Sequence, residues 1–167
     1  MLIVIVVIAI LAAISIVAYS GIQKRANNTA TISHVSASIK LINAYMTDQN
    51  AFPFLGGACL QATCVSYQRE ATLDTNLKKL GTLPSGAPGS ASVEYTYSAA
   101  RTIDGVVGRL MITYRLSGIN QDCGVDNVVK QVAGYITYET YRGTPPRNSS
   151  ANSSGNTICY VHIPPSW

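Results

Sequence analysis

Charge is missing from the start of this chain. From Met1 to Gln23 there is no Asp, Glu, Lys or Arg, and no proline occurs before Pro53. Histidine is limited to His34 and His162, and there is no G-x-S-x-G, phosphate-cradling loop, H-E-x-x-H or close carboxylate pair. These gaps argue against hydrolytic, nucleotide-binding and metalloprotease chemistry. The expectation is that the chain is not an enzyme and uses no cofactor. Basic runs are short as well: 12 Lys and Arg against 8 Asp and Glu give a net charge of +4, with no run longer than two. Charge scattered in this way describes a solvated surface. DNA is therefore a weakly supported partner.

What is present divides unevenly. The 167 residues suit one domain plus an appendage. Beyond the first nineteen, the chain is polar and rich in Ser, Thr, Asn, Gly and Tyr. Four cysteines (Cys59, Cys64, Cys123 and Cys159) behind an apolar opening argue for export to an oxidising compartment. Zinc is the rival use of these sulfurs. Cys159 and His162, however, lie in the alternating run TICYVHI, where residues three apart face opposite ways. Asp122 and Asp126 flank Cys123 as a calcium loop might, but EF-hand spacing is missing and the pair reads as solvated acids. No metal is expected.

The opening stretch MLIVIVVIAILAAISIVAY allows three readings. A cleaved signal peptide needs a basic start and an apolar run of ~7–15 residues; this run is longer and lacks the basic start. A permanent anchor fits the ~20 residues that cross a bilayer. Its flank is wrong, though: Lys24 and Arg25 follow the span and would hold the cysteine-bearing part on the cytoplasmic side. The third reading is a longer helix. Ile32, Val35, Ile39, Ile42 and Met46 recur at spacings of three and four, with Ser33, His34, Ser36, Lys40 and Asn43 on the other side. The spacing predicts one helix over Met1 to Ala51, about 75 Å long. Its first half (1–22) is apolar all round and protrudes; its second half (23–51) is amphipathic and packs on the rest.

The run ILAAISIVAY, followed by a polar helix, resembles the N-terminal segment of type IV pilins and their pseudopilin relatives. The resemblance covers about the first thirty residues. Family members carry a short basic leader, a Phe-Thr-type start and a Glu soon after it. Aligned on ILAAISIVAY, this chain begins just past that Glu, so the start is expected to be internal to the gene product. Many members also have a kinking proline where Val17 stands. Without it, Gly21 is the expected point of helix melting, because glycine costs about 1 kcal/mol relative to alanine there.

From Ala51 the chain changes character. Residues 52–92 form a loop with breakers at Pro53, Gly56 and Gly57, then a short helix over Glu70 to Leu80 with Leu73, Leu77 and Leu80 on one side, then the turn cluster GTLPSGAPGS. Residues 93–167 contain four alternating runs, VEYTYSA, RLMITYRL, YITYETY and TICYVHI. These predict a four-stranded antiparallel sheet with one face covered by the long helix, an α+β fold. Its tyrosines are read as sheet packing. Three cysteine pairings are open. Cys59–Cys64 and Cys123–Cys159 are preferred, since the nested alternatives tie the early loop to the last strands. The resemblance agrees, because a C-terminal disulfide loop forms much of the exposed surface in pilins. The segment RGTPPRNSSANSSGNT is expected to be solvent-facing. Asn27, Asn148 and Asn152 head N-x-[ST] sequons and are candidate glycosylation sites, alongside Ser and Thr.

The resemblance implies a pilus subunit that is held in the cytoplasmic membrane and then becomes part of a cell-surface filament. Leu2, Ile5, Ile8, Leu11, Ile14, Val17 and Tyr19 would form the polymerisation core. Its partners would be other copies of itself, the lipid bilayer before assembly, an inner-membrane assembly machinery with a motor ATPase, and host or abiotic surfaces. Adhesion, twitching motility and DNA uptake all fit. The alternatives are a type II secretion pseudopilin, a minor pilin, or a monomeric membrane-anchored binding protein.

Overall fold

The computed structural model describes residues 2–61, 64, 66–84, 92–103, 106–124, 128–131 and 148–163. With no proline to interrupt it, the opening segment is one helix, α1, Leu2–Gln49. It stops at Asn50, whose φ of 47° lies in the left-handed region that asparagine tolerates just past a helix end. The remaining elements are β1 (Gly57–Cys59), α2 (Ala71–Lys78), β2 (Val93–Ile103), β3 (Val106–Ser117), β4 (Val128–Gln131), β5 (Asn148–Ser153) and β6 (Asn156–Ile163).

The strands form one sheet in the order β1-β2-β3-β6-β5-β4. Five run antiparallel, and β4 joins the edge parallel to β5. The fold is α+β, a long helix laid on an antiparallel sheet. Period-two alternation selects the covered face. Val93 and Tyr95 on β2, Leu110, Ile112, Tyr114 and Leu116 on β3, and Cys159, Val161 and Ile163 on β6 are buried in one cluster. Val35, Ile42 and Met46 meet them from α1, and Leu73 and Leu77 from α2. Each large side chain so buried contributes about 1.5–3 kcal/mol, which is what fastens the rear half of α1. Both disulfides form as expected, Cys59–Cys64 and Cys123–Cys159, with Cα atoms 5.6 and 5.9 Å apart.

Several expectations change. Among the described residues the sheet has six strands, where four were expected. Three of the expected strands are β2, β3 and β6; the fourth, Tyr135–Tyr141, lies outside the described residues. The polar run through Asn148 is not simply solvent-facing. Its NSSANS part is β5, with Ser150 and Ala151 buried. Ladder bonds to β6 satisfy its backbone, and the small side chains fit against the neighbouring strand. A two-residue turn, Ser154 (φ 50°) and Gly155 (φ 75°), joins β5 to β6. Two consecutive positive φ values give the hairpin turn whose twist matches the strands.

The one-sided sheet also needs amending, because β6 is buried on both faces. Ile158 and His162, on the side away from α1, are 7% and 6% exposed. Leu80, expected on the buried side of α2, is 40% exposed. The helix ends at Lys78, and the chain turns there through bonds from the Leu80 and Gly81 N–H groups to the Leu77 carbonyl.

Candidate functional site

Among the described residues, nothing packs on the front half of α1. Thirteen large apolar side chains from Ile3 to Ile22 are all at least 49% exposed, among them Ile3 at 80% and Val17 at 72%. The best window has a mean hydropathy of 2.9, with none of it buried. Of the residues expected in a polymerisation core, Ile5, Ile8, Leu11, Ile14, Val17 and Tyr19 are exposed on this rod. The backbone of Leu2 begins it. They are distributed around the helix rather than along one stripe. From Leu2 to Ile22 the rod rises about 30 Å, close to the thickness of a bilayer's hydrocarbon core.

Its two serines are bonded internally. The Ser15 hydroxyl donates to the Leu11 carbonyl at 2.8 Å, and the Ser20 hydroxyl to the Val17 carbonyl at 2.9 Å. Bonding back to the preceding turn removes the need for an outside partner, as an apolar surrounding requires. Gly21 is helical within α1, and a Cβ placed there meets nothing within 4 Å.

Below the rod, α1 enters the domain through a polar seam that the apolar stripe did not reveal. Asn28, Thr31, His34 and Ser38 are buried. Asn28 Oδ1 accepts the Ser117 N–H at 2.8 Å, and its Nδ2 donates to the Ser117 carbonyl at 3.0 Å and to Gln121 Oε1 at 3.3 Å. His34 does not lie on the solvent side as expected. Its Nε2 is 2.9 Å from the Pro84 carbonyl, which can only accept, so Nε2 carries the hydrogen. The buried Nδ1 has no partner among the described residues. Burial holds the imidazole pKa below its ordinary value; the Pro84 bond opposes this and the Arg69 charge adds to it. Thr31 and Ser38 hydroxyls donate to carbonyls one turn back, those of Asn27 and His34.

The other sites fare differently. Asn27 is half-buried in α1. Asn152 is exposed, but its Nδ2 donates to Asn120 Oδ1 at 2.8 Å while its Oδ1 accepts the Asn120 N–H at 2.9 Å. The backbone of Asn148 begins β5. Asp122 Oδ1 accepts the Gly124 N–H at 2.9 Å; Asp126, the other half of the suggested calcium pair, lies outside the described residues. The four cysteines are bonded to one another, so none is available as a zinc ligand. No three His, Cys, Asp or Glu side chains converge among the described residues. Tyr95 and Tyr114 are core residues, as expected. Tyr95 donates to the Phe54 carbonyl at 2.6 Å and Tyr114 to that of Cys123. Burial raises the pKa of both phenols, helped at Tyr114 by the charge of Asp122.

These features define a class of architecture: a disulfide-bonded α+β domain carrying an exposed apolar helix that is continuous with its own packing helix. Compared with protein-family profiles, with curated proteins and with solved structures, the chain matches none.

Proposed function

We propose that this chain is the structural subunit of a type IV pilus, an extracellular filament that polymerises head-to-tail through the front half of α1. One observation supports this above the others: a single unbroken helix is apolar and uncovered over its first half and anchored in a disulfide-bonded domain over its second. Thirteen exposed large apolar side chains, at about 1.5–3 kcal/mol for each one fully buried, make the rod's exposure to water cost tens of kcal/mol. A bilayer and a bundle of identical rods are both apolar, so transfer between them is close to neutral. An assembly machinery with a motor ATPase then extracts subunits from the cytoplasmic membrane, and their non-closing contacts extend a helical polymer. Gly21 is the place where the rod can locally unwind during that step. The sheet and the Cys123–Cys159 region form the outer wall, which meets host or abiotic surfaces.

Electron microscopy of sheared cell-surface material tests the reading. Long uniform fibres containing this chain support it. Short stubs point to a pseudopilin or minor pilin, and monomers without fibres to an anchored binding protein. Ile8→Asp and Leu11→Asp should abolish filaments while the domain keeps both disulfides. Membrane extraction separates failed insertion from failed polymerisation.

A further inference from the structure

The domain meets the apolar rod at a definite place. Asn28 is the first buried residue of α1, and the exposed Arg25 lies one helical turn before it, a rise of about 4.5 Å. The direction of β3 determines what else sits at that level. Tyr97 pairs with Leu110 on β3, and its ring lies tilted against that of Phe52, centroids 4.8 Å apart, just beyond the far end of α1. Seven residues later Ser117 is bonded to Asn28. The strand therefore descends along α1 towards the rod. The turn that follows it, Gly118–Gln121, lies at the domain's rod-side end.

That turn is held firmly. The Gly118 N–H donates to the Gly155 carbonyl at 3.2 Å, and the Gly118 carbonyl accepts from Thr157 Oγ1 at 2.8 Å. The Gln121 N–H donates to Thr157 Oγ1 at 2.9 Å, and Asn120 is clasped by Asn152. Between these polar anchors, Ile119 is 58% exposed. An isolated surface isoleucine is ordinary. This one is carried on a hydrogen-bonded turn at the end of the domain from which the apolar helix emerges, near the level of the exposed Lys24 and Arg25; Ile22 and Tyr19 lie about 9 and about 13.5 Å beyond Asn28 along the rod.

We propose that the Gly118–Gln121 turn is a second membrane foothold. In the unassembled subunit, Ile119 enters the interfacial layer of the bilayer in which the front half of α1 is embedded. This rests on the membrane-stored state of the function proposed above. The occupant is a phospholipid surface. It is favoured by the uncovered apolar rod that leaves the same end of the domain and by two cations, Lys24 and Arg25, whose long side chains can reach lipid phosphates whichever way the helix is oriented in the bilayer. The one acidic side chain described in the adjoining loop, Asp122, has an oxygen occupied by the Gly124 N–H. Two points of contact, one on the helix and one on the sheet, fix the tilt of the domain on the membrane, which a single helix does not.

Full-length protein carrying Trp167→Phe, with either Ile119→Trp or Tyr19→Trp added, is reconstituted into phosphatidylcholine–phosphatidylglycerol vesicles. Some of the lipids are brominated near the top of the acyl chain. Blue-shifted emission and bromine quenching at both positions is the expected result. Quenching for Tyr19→Trp with red, unquenched emission for Ile119→Trp overturns the foothold and leaves membrane storage standing. No quenching at either position overturns membrane storage itself. A blue-shifted but unquenched Ile119→Trp signal that grows with protein-to-lipid ratio assigns the turn to a second copy and overturns the lipid assignment. Near-UV circular dichroism matching the parent confirms that each variant is folded.

Discussion

The side-chain amide of Asn28 and the peptide of Ser117 form a closed two-bond pair, 2.8 Å in one direction and 3.0 Å in the other. A helix residue thus acts as the next strand would for the end of β3, supplying an acceptor and a donor to a backbone group 89 residues away. It is the point where the rod becomes part of the domain.

Asn28→Ala removes this pair and leaves the half-buried Ser117 peptide short of both partners. A fully buried donor or acceptor left unpaired costs about 1–3 kcal/mol, and water reaching a half-buried one puts the loss at the low end, about 1 kcal/mol. The detergent-solubilised variant should show that loss in urea unfolding with an unchanged m-value. Asn28→Asp keeps the acceptor and should lose less.

Stability should decline in mildly acid solution, and His34 sets the direction. Above its ordinary value of 6.5 the ring is neutral in folded and unfolded chains alike, and stability is full. Below 6.5 the unfolded chain takes up a proton that the buried ring refuses, so stability falls as pH falls. The decline levels off below the lower, folded-state pKa. Thermal unfolding of parent and His34→Asn from about pH 8 to pH 5 checks this; the variant should start less stable and show a flatter profile.

The two disulfides differ in the chain they enclose, with separations of 5 and 36 residues. Loop-closure entropy assigns about 2 kcal/mol to the first and about 4 kcal/mol to the second. Paired Cys→Ala variants at 59/64 and 123/159 should follow that order in denaturant unfolding. Equal losses would show that strain or residual structure dominates over chain entropy.

Gly124 has φ 66°, and a Cβ there would lie 2.4 Å from Ile32 Cγ2. The left-handed conformation alone costs alanine about 1–2 kcal/mol, and the clash with α1 adds to it. Gly124→Ala should therefore destabilise by about 2 kcal/mol or more. Adding Ile32→Ala should recover the steric part only, measurable as a non-additive double-mutant cycle.

Much of this architecture was legible locally. The apolar rod is readable because no charge interrupts it, and the stripe from Ile32 to Met46 because apolar side chains repeat at helical spacing. Strands β2, β3 and β6 announce themselves by alternation. The polar seam does not: His34 reads as solvent-facing and Asn28 gives no signal, because their partners, Pro84 and Ser117, are far away in sequence. Strand β5 contains no β-branched or aromatic residue. Only its Ser154-Gly155 turn and the pairing with β6 make it a strand. Ile119 looks like one apolar residue in a turn until the descent of β3 places that turn at the end of the domain from which α1 emerges.

The sheet ends in short strands, three residues in β1 and four in β4. The outer side of β1 is also occupied, with the Cys59 N–H donating to the Gln68 carbonyl at 2.9 Å. Short margins, one of them occupied, give an incoming strand little to template on. In the membrane-stored subunit proposed above, such margins would keep neighbouring copies from fusing edge to edge into amyloid-like aggregates. Under that proposal, ordered growth is left to the helix alone.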